Sequence, residues 1–176
     1  MKTILETPRL VLREMTLDDL DFVAAMLAHP EVMRFYPKRY SRAEAEVWLN
    51  RQLTRYARHG HGLWLVVEKA GGEPVGQIGL LIQNIGGVDE KEVGYLLHRP
   101  YWGRGLATEA AAACCDYAFT RFDRARVFAL IRPENEPSQR VAQRLGMTPG
   151  PETIVHSGFA HLVFSAAREG KGAADS

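Results

Sequence analysis

The chain reads as a single α/β (α+β) domain with a mixed, mostly antiparallel central sheet flanked by helices, and three observations carry that reading. Leu63 to Leu97 holds three apolar, strand-like runs separated by short Gly-containing turns, the pattern of an antiparallel meander. Val93–Ala118, reading VGYLLHRPYWGRGLATEAAAACCDYA, passes from an apolar strand through a Gly-containing turn into a helix that is apolar almost all round, and such a helix is a buried one. The length of 176 residues fits one domain with a substantial core, and no repeat, linker or second domain interrupts it.

Taken in order, Arg9 to Arg13 alternates basic and apolar residues and predicts a half-buried strand. Thr16, followed by Asp18 and Asp19, predicts the N-cap and first turn of a helix through about Leu27, which His29-Pro30 ends. Val32 to Tyr40 is irregular, and its aromatics Phe35 and Tyr36 read either as loop anchors or as the lining of a pocket. Ser41 with Glu44 forms a capping box for a helix whose apolar face is Ala45, Trp48, Leu49, Gln52, Leu53 and Tyr56. That helix ends at His59-Gly60. His59-Gly60-His61 reads as a surface turn, because no carboxylate or cysteine stands at ligand spacing. Strands follow over Leu63–Lys69, Val75 to about Gln83 and Glu90–Leu97, with turns at 70–74 and Gly86-Gly87. After the apolar helix come a short strand, Val127–Ile131, and a helix from about Pro137 to Leu145 stopped by Gly146. Thr153–Ser157 and Phe159–Ala166 predict a last hairpin, and the small, polar tail 170–176 is expected to be disordered.

Composition narrows the function classes. Apolar residues make up 46% and charged residues 24%, ordinary values for a globular chain. The net charge of +1 gives no global field for nucleic acid or an anionic membrane. No run of about 18 apolar residues is present, and the first residues do not form a signal-peptide pattern, so the cytoplasm is the expected compartment. Cys114 and Cys115 are sequence neighbours in a buried helix. They can neither staple distant segments nor form a metal set, and no metal site is expected.

The turn at residues 102–108 is the chemical feature of the sequence. The first helical N–H groups have no partner inside the helix, and the helix dipole adds positive potential there. Gly103 and Gly105 let the backbone approach a bulky anion, so a pyrophosphate is expected across residues 103–108. A dinucleotide-binding G-x-G-x-x-G turn does not fit. The third glycine is missing, five residues separate strand from first glycine, and the next strand ends in Arg132-Pro133 rather than an acid.

Trp102-Gly103-Arg104-Gly105-Leu106-Ala107 instead resembles the Q/R-x-x-G-x-G/A acetyl-coenzyme A loop of the GCN5-related N-acetyltransferase (GNAT) superfamily. Asn135 to Met147, NEPSQRVAQRLGM, resembles that superfamily's N-x-x-[AS]…G-[FM] segment. Thr7-Pro8-Arg9-Leu10-Val11-Leu12-Arg13 is similar to the first strand of the branch that acetylates N-terminal residues of ribosomal proteins, the ribosomal-protein-alanine type. The three segments stand in the family's order across roughly residues 6–167. The resemblance implies a GNAT fold whose fourth and fifth strands splay apart around the pantetheine arm. It implies acetyl-CoA as donor and a primary amine as acceptor, most directly a peptide or protein N-terminal α-amino group. A small-molecule amine is the alternative acceptor, a non-catalytic acetyl-CoA sensor is the alternative to an enzyme, and the chain is expected as monomer or homodimer.

Acetyl transfer from a thioester needs a neutral amine, donors for the oxyanion and a proton for the leaving thiolate. An α-amine, with a pKa of about 7.7–8.0, is far closer to neutral than a lysine at about 10.4. Main-chain N–H groups around Gly103, Gly105, Ala107 and Thr108, with Leu106 opening the helix, are expected to hold the pyrophosphate. The Thr108 hydroxyl either adds a bond or caps the helix. Arg104 is a candidate for phosphate oxygens, and Arg140 or Arg144 for the 3′-phosphate. By resemblance, Leu97 offers main-chain groups to the pantetheine and thioester oxygen. Asn135 corresponds to the family's pantetheine-contacting Asn and also reads as a helix cap.

Two departures stand out: Ala142 lies where many members carry a general-acid tyrosine, and Trp102 lies where the loop motif has Gln or Arg. Ser138 is the hydroxyl that remains, either as acid or as hydrogen-bond donor to the thiolate. Glu92 stands where the family often has a water-linked carboxylate base, and by alternation shares a strand face with Gly94 and Leu96. Its other reading is a solvent-facing strand residue. His156 and His161 are lesser base candidates, and Tyr95 and Tyr101 read as packing residues.

Overall fold

A computed structural model describes residues 2–168, so the expected disorder of 170–176 falls outside it. The chain forms β1 (Thr3–Glu6), β2 (Leu10–Arg13), α1 (Leu20–Ala28), α2 (Arg42–His59), β3 (Leu63–Glu68), β4 (Pro74–Ile85) and β5 (Val88–Leu97). It continues with α3 (Leu106–Arg121), β6 (Arg126–Ile131), α4 (Glu136–Arg144), β7 (Thr148–His156) and β8 (Phe159–Ala167). These strands make one eight-stranded sheet in the order β1-β2-β3-β4-β5-β6-β8-β7. Every neighbouring pair is antiparallel except β5 and β6. Strand β1 is an addition to the sequence reading. Its four residues are too few to show a period, and pairing with β2 from Thr3↔Arg13 to Glu6↔Val11 is what orders them. The last two strands are also longer at β7 than turn signals suggest, because Pro149 and Thr153 flank an irregularity that the β8 ladder tolerates.

Alternation along β3 divides the core into two layers. Trp64 and Val66 face the layer of α3, together with Leu10, Ile78, Val93, Leu106, Ala110 and Cys114. Leu63 and Leu65 face the opposite layer, with Val23, Met26 and Leu27 of α1 and Ala45 and Leu49 of α2. Small residues at Ala110, Ala111, Cys114 and Ala118 let α3 lie close to the sheet, and all four are fully buried. Both cysteines are free, and burial pushes the Cys114 thiol well above its usual range and the Cys115 thiol up to about 12. A thiol held protonated in this way is a poor nucleophile. Among the described residues no helix is long and apolar enough to cross a membrane, and no cluster of metal-ligating side chains occurs.

The helix ends obey their local signals. Ser41 accepts from the Glu44 N–H at 3.3 Å while Glu44 accepts from the Ser41 N–H at 2.8 Å, the reciprocal capping box expected. Thr16 and Asp19 form a second box at the 3-10 turn Leu17–Asp19 that leads into α1. One correction concerns His61, expected on a surface turn but only 1% exposed. Its ring Nδ1–H donates to the Leu80 carbonyl at 2.8 Å, and Nε2 accepts from Lys91 Nζ, whose ammonium lies 4.6 Å from the Phe122 ring centroid. Burial pulls the His61 pKa down to about 4. The chain hides this histidine because β4 crosses immediately over Gly62, a contact no linear pattern records.

Candidate active site

The parallel pair β5/β6 meets at one rung, Glu92↔Phe128, and beyond it the strands diverge. From Val93 to Leu97 β5 stays on the β4 ladder, through Tyr95↔Ile78 to Leu97↔Gly76, while β6 stays on β8 through Ile131↔Leu162. The sheet therefore opens as a fork with Glu92 at its vertex. The fork is part of a cleft of about 1210 Å³ that runs from the N-terminus of α3 to the loop after α1. Ser138, Glu92, Leu97, Trp102, Gly103, Gly105, Leu106, Ala107, Thr108, Asn135, Arg140 and Arg144 all line it. Arg104 is the one residue of the sequence-derived set that does not.

One wall is built from main chain. Gly103 and Gly105 have φ of +74° and +75°, the left-handed region where a side chain is strained, and Gly105 is the N-cap of α3. Their conformation shapes the turn that opens α3 at the edge of the cleft, where the first helical N–H groups have no partner within the helix. Behind the turn, Glu109 accepts from Thr7 Oγ1 at 2.6 Å, the Arg9 N–H at 3.0 Å and Arg9 Nε at 2.6 Å. Arg9 Nη1 then donates to the Arg104 carbonyl at 2.9 Å, which anchors the loop from outside. The Arg104 guanidinium is engaged by both Glu68 oxygens and lies over the Tyr101 ring. The phosphate contact expected of Arg104 thus has a competitor in place, because Glu68 of the adjacent β3 offers a fork-to-fork carboxylate. Trp102, 39% exposed, donates its indole N–H to the Leu97 carbonyl at 2.9 Å and so ties loop to strand.

Across the fork, α4 carries the second half of the sequence-derived set. The Asn135 side chain caps α4 by accepting from the Ser138 N–H at 3.2 Å, as its position predicted. The Tyr95 hydroxyl donates to the Ser138 carbonyl at 2.8 Å, bridging β5 to α4 across the opening. Tyr95, expected to be a packing residue, is therefore also a strut, and burial raises its pKa above the usual tyrosine range. Arg140 pairs with Glu136 at 3.5 Å, whereas Arg144 forms no ion pair among the described residues.

Glu92 is 9% exposed, which removes its solvent-facing reading. Lys91, Glu92 and Val93 are all buried in succession, so simple alternation fails to mark an outside. Burial pushes the Glu92 pKa up to about 7, only partly offset by the Gln83 side chain, the Leu130 backbone and the charge of Arg55. Its Oε2 has no hydrogen-bond partner among the described residues. A buried carboxylate with a free lone pair and a near-neutral pKa is suited to taking a proton.

The remaining wall was not assembled from sequence. Phe35 and Tyr36 line the cleft rather than merely anchoring their loop. In the cleft, burial and then the Glu92 charge push the Tyr36 pKa up to about 12. Arg132 donates to the Phe35 carbonyl at 3.2 Å, pairs with Glu134 and stacks 4.0 Å from the Phe159 ring centroid, clamping that loop to β6 and β8. Arg34, Arg51 and Arg55 complete the wall. Arg51 and Arg55 stand one helical turn apart on α2, a spacing legible in sequence, but it is equally that of a solvated face. His156 and His161 lie at the mouth, ring centroids 5.6 Å apart.

Residues 9–148 match the family described as "Acetyltransferase (GNAT) domain". The chain is 36% identical over 147 residues to the uncharacterized protein YkkB of Bacillus subtilis (strain 168), covering 83% of this chain and 86% of YkkB. It is 29% identical over 150 residues to spermidine N(1)-acetyltransferase of Escherichia coli (strain K12), covering 84% and 77% of the two chains. The crystal structure of the acetyltransferase from Agrobacterium tumefaciens str. C58 superposes with a TM-score of 0.82 at 29% identity, covering 96% of this chain and 95% of the other. The chain belongs to the GNAT acetyltransferase family. Within it, fold and relatives define an acetyl-CoA-dependent N-acetyltransferase, an enzyme rather than a sensor.

The site fits that donor on its own geometry. A Cβ placed on Gly103 would meet nothing within 4 Å, so the space beside the turn is open to a bulky anion.

Proposed function

We propose that the enzyme acetylates an α-amino group at a peptide or protein N-terminus, by direct attack of the neutral amine in a ternary complex. The observation that carries this reading is Glu92: buried at the fork vertex, unpartnered at Oε2, with a pKa of about 7. A base of that pKa is matched to an α-ammonium group at about 7.7–8.0, whereas a lysine ammonium at about 10.4 is harder to discharge. Bound acetyl-CoA supplies an acetyl group activated as a thioester. The N–H groups of residues 103–108 hold its pyrophosphate, and Arg140 or Arg144 its 3′-phosphate. Leu97 and Asn135 orient the pantetheine arm along the fork. Glu92 takes the amine proton at Oε2, directly or through one water, and the Ser138 hydroxyl donates toward the departing sulfur. The similarity of residues 7–13 to the ribosomal-protein-alanine branch supports the N-terminal acceptor. A small amine is the second reading, favoured by the spermidine N(1)-acetyltransferase relative.

The test is release of CoA thiol from acetyl-CoA with short peptides of varied N-termini, free amino acids, polyamines and aminoglycosides. Peptide-dependent release supports the proposal, and release with polyamines alone replaces it by the second reading. A Glu92→Gln, Ser138→Ala pair that binds acetyl-CoA normally yet turns over as fast as the parent would remove the catalytic assignment.

A further inference from the structure

The charges of the acceptor wall do not balance. Four carboxylates line the cleft: Glu31, Glu92, Glu134 and Glu136. Three of them are spent on neighbouring arginines, Glu31 with Arg99 at 2.9 Å, Glu134 with Arg132, and Glu136 with Arg140 at 3.5 Å. Arg34, Arg51 and Arg55 line the same cleft and form no ion pair among the described residues. Arg55 is half-buried, held by the buried Gln52 through Nη1–H to Oε1 at 3.2 Å, and so is fixed rather than free to swing into solvent. Arg51 lies one turn away and acts on it as a like charge, while Glu92 is the acid that acts on it favourably. Arg34 stacks on Phe35 with its guanidinium carbon 5.4 Å from the ring centroid, which holds a second cation at the same wall.

We infer that the acceptor carries a carboxylate beside the amine it presents, and that Arg51 and Arg55, with Arg34 at the rim, receive it. The inference rests on the acetyl-transfer reading and narrows its substrate class. Both functions line one cleft: Glu92 at the vertex receives the amine end, and Arg51 and Arg55 of α2, the latter near enough for the Glu92 charge to act on it, receive the anionic end. Planar guanidinium groups fit a carboxylate bidentately, and in a half-buried setting such a bond is stronger than a neutral one. A polycation would bring like charge to like charge at this wall, so the site also selects against polyamines. The carboxylate can be the α-carboxylate of a free amino acid or the side chain of an acidic second residue in a peptide. The chemistry recognised is shared.

Matched acid and amide acceptors test it. CoA release is compared for an amino acid and its amide, and for peptides with Asp or Asn in second position. In one or both pairs the acid is expected to show kcat/KM higher by about tenfold or more. The pair that responds names the source of the carboxylate. An Arg51→Gln, Arg55→Gln double variant should shrink that preference to about threefold or less, and Arg58→Gln, exposed on the last turn of α2, should preserve it. Calorimetry with the N-acetylated products on the CoA-loaded enzyme gives a reading independent of turnover, with tighter binding of the acid expected. Acetyl transfer with equal rates for acid and amide, or fastest with a polyamine, overturns this inference and leaves the transfer reading intact. Tighter binding of the acid product with no transfer to any acceptor does the opposite.

Discussion

Across the cleft, the wall at residues 102–108 offers main-chain N–H groups from a turn closed by two left-handed glycines. The wall formed by the loop after α1 and by α2 offers side chains: Arg34, Tyr36, Arg51 and Arg55. The first construction depends on backbone shape more than on side chains. The second depends on which residues happen to stand there. One wall can therefore keep a single donor while the other is rewritten for different amines. Glu92 lies at the vertex of the fork, in the cleft that both walls line.

The contrast breaks most sharply at Glu92. Glu92→Gln should lower kcat by about 10²–10⁴-fold while leaving CoA binding within a few fold, as steady-state kinetics and calorimetry would show. In the parent, kcat/KM should rise with pH through about 7 as Glu92 gives up its proton. Stability should move the other way. Because the folded pKa is raised from 4.5 to about 7, the stabilising contribution is complete below about pH 4.5 and is lost as pH rises through 7. Glu92→Gln should thus melt higher than the parent at pH 8, by about 1–3 kcal/mol in thermal denaturation, with the gap closing near pH 4.5.

A substitution on the backbone wall should affect only the donor. Gly105→Val forces a β-branched residue to a φ of +75°, a strain of about 1–3 kcal/mol. The Kd for CoA should weaken by about ten- to a hundredfold, and binding of acceptor analogues should hold. A similar weakening of both would mean that the walls are not independent. Asn135→Ala removes the cap of α4 and should lower stability by about 1 kcal/mol in denaturant melts. Its KM for acetyl-CoA should rise several-fold if the same side chain reaches the pantetheine. The smallest effect is expected at Arg104. Arg104→Ala removes an exposed pair with Glu68, worth about 0.2–1 kcal/mol, and should change the KM for acetyl-CoA by about threefold or less. A larger rise would show that Arg104 leaves Glu68 for the phosphates.

The difference between the walls is also the difference between what is legible in the sequence and what is not. Residues 102–108 and 135–147 are contiguous, and their chemistry follows from local rules: glycines at a strand-to-helix turn, an Asn at a helix start. The acceptor wall draws on a loop, one face of α2 and β6. Arg51 and Arg55 carry no local mark that separates them from a solvated helix face. What marks them is tertiary: both line the cleft, and the charge of Glu92 acts on Arg55.

By itself the sequence determined the meander, the capping box at Ser41, the N-cap at Thr16, the buried α3 and the glycine turn before it, because each depends on residues a few positions apart. Tertiary structure decided the rest. Pairing with β2 made β1 a strand, and the crossing of β4 over Gly62 buried His61. The divergence of β5 from β6 after a single rung set Glu92 at the vertex of a cleft. Burial there, a property of the assembled layers and of no single segment, is what turns an ordinary carboxylate with a pKa near 4.5 into one near 7.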